Sequence, residues 1–154
     1  MKKLFALVLF SLSVLVCAQE ANAKFELGVI VGEPTGLSFK TYINSRNAVD
    51  LAAAWSYSGA DRLSLHGDYL WFNYKAFDTK EAARTPLYYG IGARLKFEDQ
   101  SSIGVRFPLG IQFFLKNASP LTVFMEAAPI LELAPDTELE LSAAFGLRFI
   151  FDTK

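Results

Sequence analysis

A single cysteine and a single histidine are all this chain holds of the side chains that most often bind transition metals or carry thiol chemistry. Cys17 lies in an N-terminal apolar run, and His66 by itself is too little for a zinc or other transition-metal site, so no metal and no cofactor is expected. Basic residues are not in excess, with 15 lysines and arginines against 16 acids, which leaves no electrostatic footprint for nucleic acid. No apolar stretch reaches the roughly 18 residues of a transmembrane helix. The one glycine pair that invites a phosphate-loop reading, Gly90-Ile91-Gly92, sits inside an alternating strand pattern and lacks the strand-turn-helix context. No repeat of domain-building length and no linker divides the chain.

What is present is apolar and aromatic. Of 154 residues, 52% are hydrophobic and 14% aromatic, too many for a disordered chain and enough for one domain with a core or a lipid-facing belt. Met1-Lys2-Lys3, the apolar run Leu4 to Cys17 and Ala21-Asn22-Ala23 together read as a secretory signal, residues 1–23, with cleavage before Lys24. Residues 24–154 then form the mature domain. Val16 stands where lipoprotein processing favours a small residue, so Cys17 is expected to leave with the signal rather than carry a lipid. The mature domain then has no cysteine and no disulfide.

From Lys24 onward apolar and polar residues alternate with period two, the signature of β-strands. The pattern is cleanest between Pro86 and Leu115. There Leu87, Tyr89, Ile91, Ala93, Leu95 and Phe97 share one face, and after a charged turn at Glu98 to Ser102 so do Val105, Phe107, Leu109, Ile111, Phe113 and Leu115. Opposite them lie Tyr88, Gly90, Gly92, Arg94, Lys96, Gly104, Arg106, Pro108, Gly110, Gln112 and Phe114. The same alternation runs through 24–31, 37–43, 49–57, 62–72, 121–133 and 139–151, which makes eight strands. Turns are expected at Gly32 to Thr35, Asn44 to Asn47, Ser58 to Asp61, Lys116 to Pro120 and Ala134 to Thr137. The longest connection, Asn73 to Thr85, has room for a helical turn at Thr79 to Arg84.

Periodicity does not say which face is inside; volume does. The interior of an eight-stranded barrel is just filled by its own side chains or holds one small ligand. A face of Leu, Phe, Tyr, Trp, Ile and Val on almost every strand is too bulky to converge there. The other face, Gly, Ala and Ser interspersed with charges, fits. The expected fold is therefore an all-β, eight-stranded, antiparallel, up-and-down transmembrane β-barrel with the greasy face toward lipid. Its lumen would pair Lys40, Arg94, Arg106 and Arg148 with Glu26, Asp50, Asp68 and Glu126, whereas Arg62, Lys96, Glu132 and Glu140 near strand ends are expected to be simply solvated. Trp55 with Tyr57, and Tyr69 with Trp71 and Tyr89, fall where interfacial girdles belong. Pro108 and Pro129 fall inside strands and demand a bulge or a shortened strand.

The last strand carries a pattern with a known parallel. Phe145, Leu147, Phe149 and Phe151 resemble the alternating aromatic C-terminal signal of bacterial outer-membrane barrels, which implies recognition by the barrel assembly machinery, although Asp152-Thr153-Lys154 runs past the final phenylalanine. The mature chain is similar to the small eight-stranded class that includes the membrane domain of outer membrane protein A. More narrowly, Gly32-Glu33-Pro34-Thr35-Gly36-Leu37-Ser38, Pro86-Leu87-Tyr88-Tyr89-Gly90-Ile91-Gly92 and Gly104-Val105-Arg106-Phe107-Pro108-Leu109-Gly110 resemble motifs of an uncharacterised family of outer-membrane proteins. The resemblance implies a bacterial outer-membrane location, outer-membrane lipid as surroundings and termini on the periplasmic side. The connection at 73–85 would then be periplasmic and a candidate partner contact.

Three functions compete on these residues. The first is a non-enzymatic outer-membrane barrel with a plugged polar lumen and a structural or interaction role; its short outward turns argue against large receptor loops. The second is a lipid-modifying enzyme, because Ser64, His66 and Asp68 alternate onto one face of a strand, where same-face neighbours stand about 7 Å apart. No oxyanion hole is visible, and a triad inside a narrow lumen is hard for a lipid to reach, so no catalytic residue is assigned. The third is a soluble, lipocalin-like periplasmic binding barrel with the faces inverted, which needs a cavity wider than eight strands provide.

Overall fold

The computed structural model describes residues 24–32, 35–56, 62–77, 85–97, 100–115 and 120–152, with the side chains of Ser56 and Arg62 outside the description. The signal at 1–23, the middle of the Gly32 to Thr35 turn, Tyr57 with the whole Ser58 to Asp61 turn, the helical turn at 79–84, the start of the Glu98 to Ser102 turn and most of the Lys116 to Pro120 turn lie outside the described residues. The chain forms β1 (Lys24–Gly32), β2 (Thr35–Tyr42), β3 (Asn47–Ser56), β4 (Arg62–Asn73), β5 (Leu87–Phe97), β6 (Ser102–Arg106), β7 (Leu109–Leu115), β8 (Leu121–Ala134) and β9 (Glu138–Asp152). Every pairing is antiparallel; neighbours in the ring are consecutive strands except that β5 also pairs with β7, β6 pairs with β8, and β9 returns to β1 and closes the ring.

Nine segments make eight staves, because β6 and β7 are one stave broken at Phe107-Pro108. Both halves pair with β5 on one side and β8 on the other. The expected shortening at Pro108 is thus observed, and the register runs through the break without an inserted residue: Arg106 faces Ile130 and Leu109 faces Ala127. At Pro129 the expectation is corrected, because β8 runs unbroken and in register through it, with Pro129 opposite Leu141, and its missing donor faces the break at Pro108. Pro108 accepts from the Gly90 N–H at 2.9 Å and Pro129 from the Phe107 N–H at 3.0 Å, so each proline's missing donor falls in the ladder that the break already interrupts. The register shift lies elsewhere, between Ile103 and Gly104 opposite the end of β8.

Following the ladder from Glu26 through Lys40, Asp50, Asp68, Gly92, Arg106 and Ile130 leads to Glu140 on β9, whereas Glu26 itself pairs with Ile150. The barrel closes with a stagger of ten residues, which for eight staves corresponds to strands tilted by about 40° and an interior filled by side chains.

The faces point as the volume argument requires. Leu27, Val29, Leu37, Leu51, Ile91, Leu109, Met125, Phe145 and Phe149 are outward and exposed, while Glu26, Ser38, Lys40, Asp50, Asp68, Arg94, Arg106, Gln112, Thr122 and Arg148 are inward and buried. Among the described residues no charged side chain occupies the outer face of a strand. The inverted, lipocalin-like arrangement is not the one the chain adopts. On the outer face Trp71 stacks on Tyr89 at 5.9 Å and meets Tyr69 edge-on at 4.9 Å, forming one aromatic rim.

Candidate functional site

The lumen is where the unusual side chains converge, and alternation puts them there: every second residue of each stave points in, so eight staves deliver their polar positions to one narrow column. At the end nearer the chain termini Ala48, Leu70, Phe72 and Tyr88 form an apolar cluster with Tyr42 packed against it. Volume reasoning from Gly, Ala, Ser and charges alone missed this layer, although all five residues lie on the inward side of the alternation.

Next to that layer Lys40 is buried. Its Nζ donates to Gln112 Oε1 at 2.6 Å, lies 3.8 Å from Glu26 Oε2, and stands 5.2 Å from the Phe72 ring and 5.3 Å from the Tyr88 ring. Glu26 accepts from Tyr42 Oη at 2.7 Å, Gln112 Nε2 at 3.0 Å and Thr122 Oγ1 at 3.2 Å. One carboxylate therefore takes three hydrogen bonds and one cation, the condition under which a buried charge is tolerated. Farther along, Arg148 donates from Nη2 to Asp50 Oδ2 at 2.6 Å and from Nε to Ser38 Oγ at 2.8 Å, with its guanidinium 3.7 Å above the Phe124 ring. Arg106 binds Glu126, which also accepts from Tyr88 Oη at 2.9 Å, and its Nε lies 3.2 Å from Asp68 Oδ2.

The mouth away from the termini holds a second cluster. Arg94 reaches Glu132 at 2.5 Å and Glu140 at 2.6 Å, and Lys96 reaches the same two carboxylates at 3.1 and 2.8 Å. This corrects the expectation that Lys96, Glu132 and Glu140 are merely solvated strand-end charges: the stagger lifts β8 and β9 beside the end of β5 and brings opposite signs together. Arg62 lies outside the described side chains.

Ser64, His66 and Asp68 do share the inward face of β4 and are all largely buried. His66 Nε2 stands 4.0 Å from Asp68 Oδ2, longer than a hydrogen bond, and the same carboxylate oxygen has the Arg106 guanidinium at 3.2 Å. The acid of the candidate triad is thus engaged by an arginine two staves away, reaching it past Gly92 of β5, instead of orienting the imidazole. Ser64 and His66 line a cavity of about 20 Å³, the scale of a single water, together with Ile30, Ala54, Arg94, Arg106, Glu126, Ser142, Ala143 and Ala144. Asp68 Oδ1 and Arg148 Nη1 have no hydrogen-bond partner among the described residues. No group of three or more potential ligands among the described residues is placed to hold a metal ion.

Sequence comparison adds no assignment: no family model matches the chain, and no curated protein matches it. Solved structures do match in fold. The N-terminal β-barrel domain of Pseudomonas aeruginosa OprF aligns over 84% of this chain and 96% of that domain with a TM-score of 0.58 at 13% identity. Neisserial surface protein A (NspA) aligns over 84% of this chain and 94% of its own at 17% identity with a TM-score of 0.40. The chain therefore has the architecture of the small bacterial β-barrels, closed by eight antiparallel staves.

Proposed function

We propose that this chain is a small bacterial outer-membrane β-barrel, exported with a signal at 1–23 that is removed before Lys24, with a structural or interaction role and no catalytic activity. One observation carries the reading: on all eight staves the outward side chains are apolar or uncharged while the charges are inside. In water such a surface would drive association, but in a bilayer it is the required one. The likeness of fold to the OprF barrel domain supports it.

The buried Arg148, Tyr88, Lys40, Phe124, Leu70 and Ile130 support a lumen plugged by its own side chains, which favours anchoring or contact over passage of solutes. The surroundings would be outer-membrane lipid. Insertion would proceed through the barrel assembly machinery, guided by the outward Phe145, Leu147, Phe149 and Phe151, and the connection at 73–85 would offer a periplasmic contact. Fractionation of expressing cells, with a gel of the outer-membrane fraction run before and after boiling, tests this. A band of the mature mass starting at Lys24, whose mobility changes on heating, is expected; a protein soluble in the periplasm without detergent would overturn it.

A further inference from the structure

The rim of the barrel away from the termini is not level, and the step follows from register. Along strands tilted about 40° each residue climbs roughly 2.5 Å along the barrel axis, and each crossing from one stave to the next along the ladder climbs roughly 3 Å. Measured from Glu26, β1 ends at Gly32 about 15 Å up, β2 begins at Thr35 at nearly the same level, and β5, β6, β8 and β9 reach about 25–28 Å. Only two residues separate β1 from β2, too few to rise through the difference and return. The wall is therefore notched by about 10 Å at the β1–β2 hairpin.

The notch bares the edge of β9. Among the described residues, pairing with β1 extends to Gly32 opposite Ala144, while pairing with β8 continues to Glu138. Because the Ile150 N–H points toward the β8 side, the alternation turns the N–H and C=O groups of Leu139 and Leu141 toward β1, where the described residues offer no ladder partner. Both residues are 73% exposed, the highest among the described large hydrophobic residues. The cavity beside Ser64 and His66 reaches this same seam: it is lined by Ile30 at the end of β1 and by Ser142, Ala143 and Ala144 on β9, and Ala143 faces outward.

At the height of Leu141 the rest of the wall is still dressed for hydrocarbon, with Leu95, Leu131 and Leu63 outward and exposed. Unpaired backbone groups are not tolerated in hydrocarbon. A second copy cannot supply the missing strand: two barrels inserted the same way are related by an axis along the membrane normal, which crosses their β9 edges at about 80° instead of aligning them. Resting on the membrane reading above, we infer that the notch is a docking cleft for the polar headgroup of an outer-leaflet lipid, drawn below its usual level to hydrogen-bond the Leu139 and Leu141 backbone, with the leaflet thinned locally at β1–β2.

The mature domain has no cysteine of its own, so Leu141→Cys, Leu95→Cys and Met125→Cys can each carry one bimane label in otherwise native protein. Leu141 and Leu95 lie at matching heights on the notched and tall sides, and Met125 lies near mid-wall. In phosphatidylcholine vesicles doped with lipid bearing a nitroxide on the headgroup or at mid-chain, the label at 141 is expected to be quenched mainly from the headgroup, with the preference inverted at 95 and 125. The same preference at 141 as at 95, or no quenching at 141 by either lipid, overturns the inference, the second by showing that protein covers the edge. If 125 too escapes both quenchers, the membrane reading itself falls and takes the inference with it.

Discussion

Replacing Arg148 by methionine puts a number on how dry the lumen is. Arg148 and Asp50 are 1% and 3% exposed, joined at 2.6 Å, and the arginine guanidinium lies over the Phe124 ring. Methionine keeps much of the stem's apolar volume but removes the charge, leaving Asp50 with Ser38 at 3.3 Å as its remaining hydrogen-bond donor. Breaking one partner of a buried ion pair typically costs about 3–5 kcal/mol, because the other charge stays behind in a poor solvent. Adding Asp50→Asn removes that stranded charge while keeping a group that can bond Ser38, and is expected to recover about 2 kcal/mol of the loss. The assay is urea unfolding of vesicle-inserted protein, followed by tryptophan fluorescence and by the heat-dependent gel shift. A cost for Arg148→Met below about 1 kcal/mol, the range of solvated pairs, would refute the closed, dry lumen.

Three further substitutions probe other parts of the wall. A Cβ at Gly146 would stand 2.3 Å from the Phe124 ring, so Gly146→Ala is expected to push that ring off Arg148 and destabilise by about 1–3 kcal/mol in the same unfolding assay. Met125→Lys, outward at mid-wall, should cost about 2–4 kcal/mol in vesicles, against about 0–1 for Leu133→Lys at the rim; equal costs would mean that depth in a bilayer does not matter here. His66→Ala should leave the lipid composition of expressing cells unchanged, as shown by mass spectrometry of extracted lipids, and the loss of any lipid modification would reinstate the Ser64, His66 and Asp68 site.

Facing was legible in the sequence because period-two alternation is local and the interior volume of eight staves is small. Leu27 and Glu26 were separable without knowing a single neighbour. The break at Pro108 was legible too, since proline lacks a donor wherever it sits. Pairing was not. That Lys40 finds Gln112 and Glu26, or that Arg94 and Lys96 hold Glu132 and Glu140, depends on the ten-residue stagger, and shifting the register by two residues leaves the alternation intact while changing every partner. The apolar layer of Leu70, Phe72 and Tyr88 was written on the inward face, but its meaning needed the knowledge that these residues meet at one level beside Ala48. The notch at β1–β2 is a property of the stagger alone.

Trp55 and Trp71, both on the outer face near opposite ends of the wall and about 17 Å apart along the axis, report directly on whether that face meets lipid. The decisive measurement is the fluorescence of the unaltered mature protein folded into vesicles whose lipids carry bromine high on the acyl chains. The membrane-barrel account expects strong quenching with a blue-shifted emission; unquenched emission from protein that stays folded in buffer without detergent would contradict it.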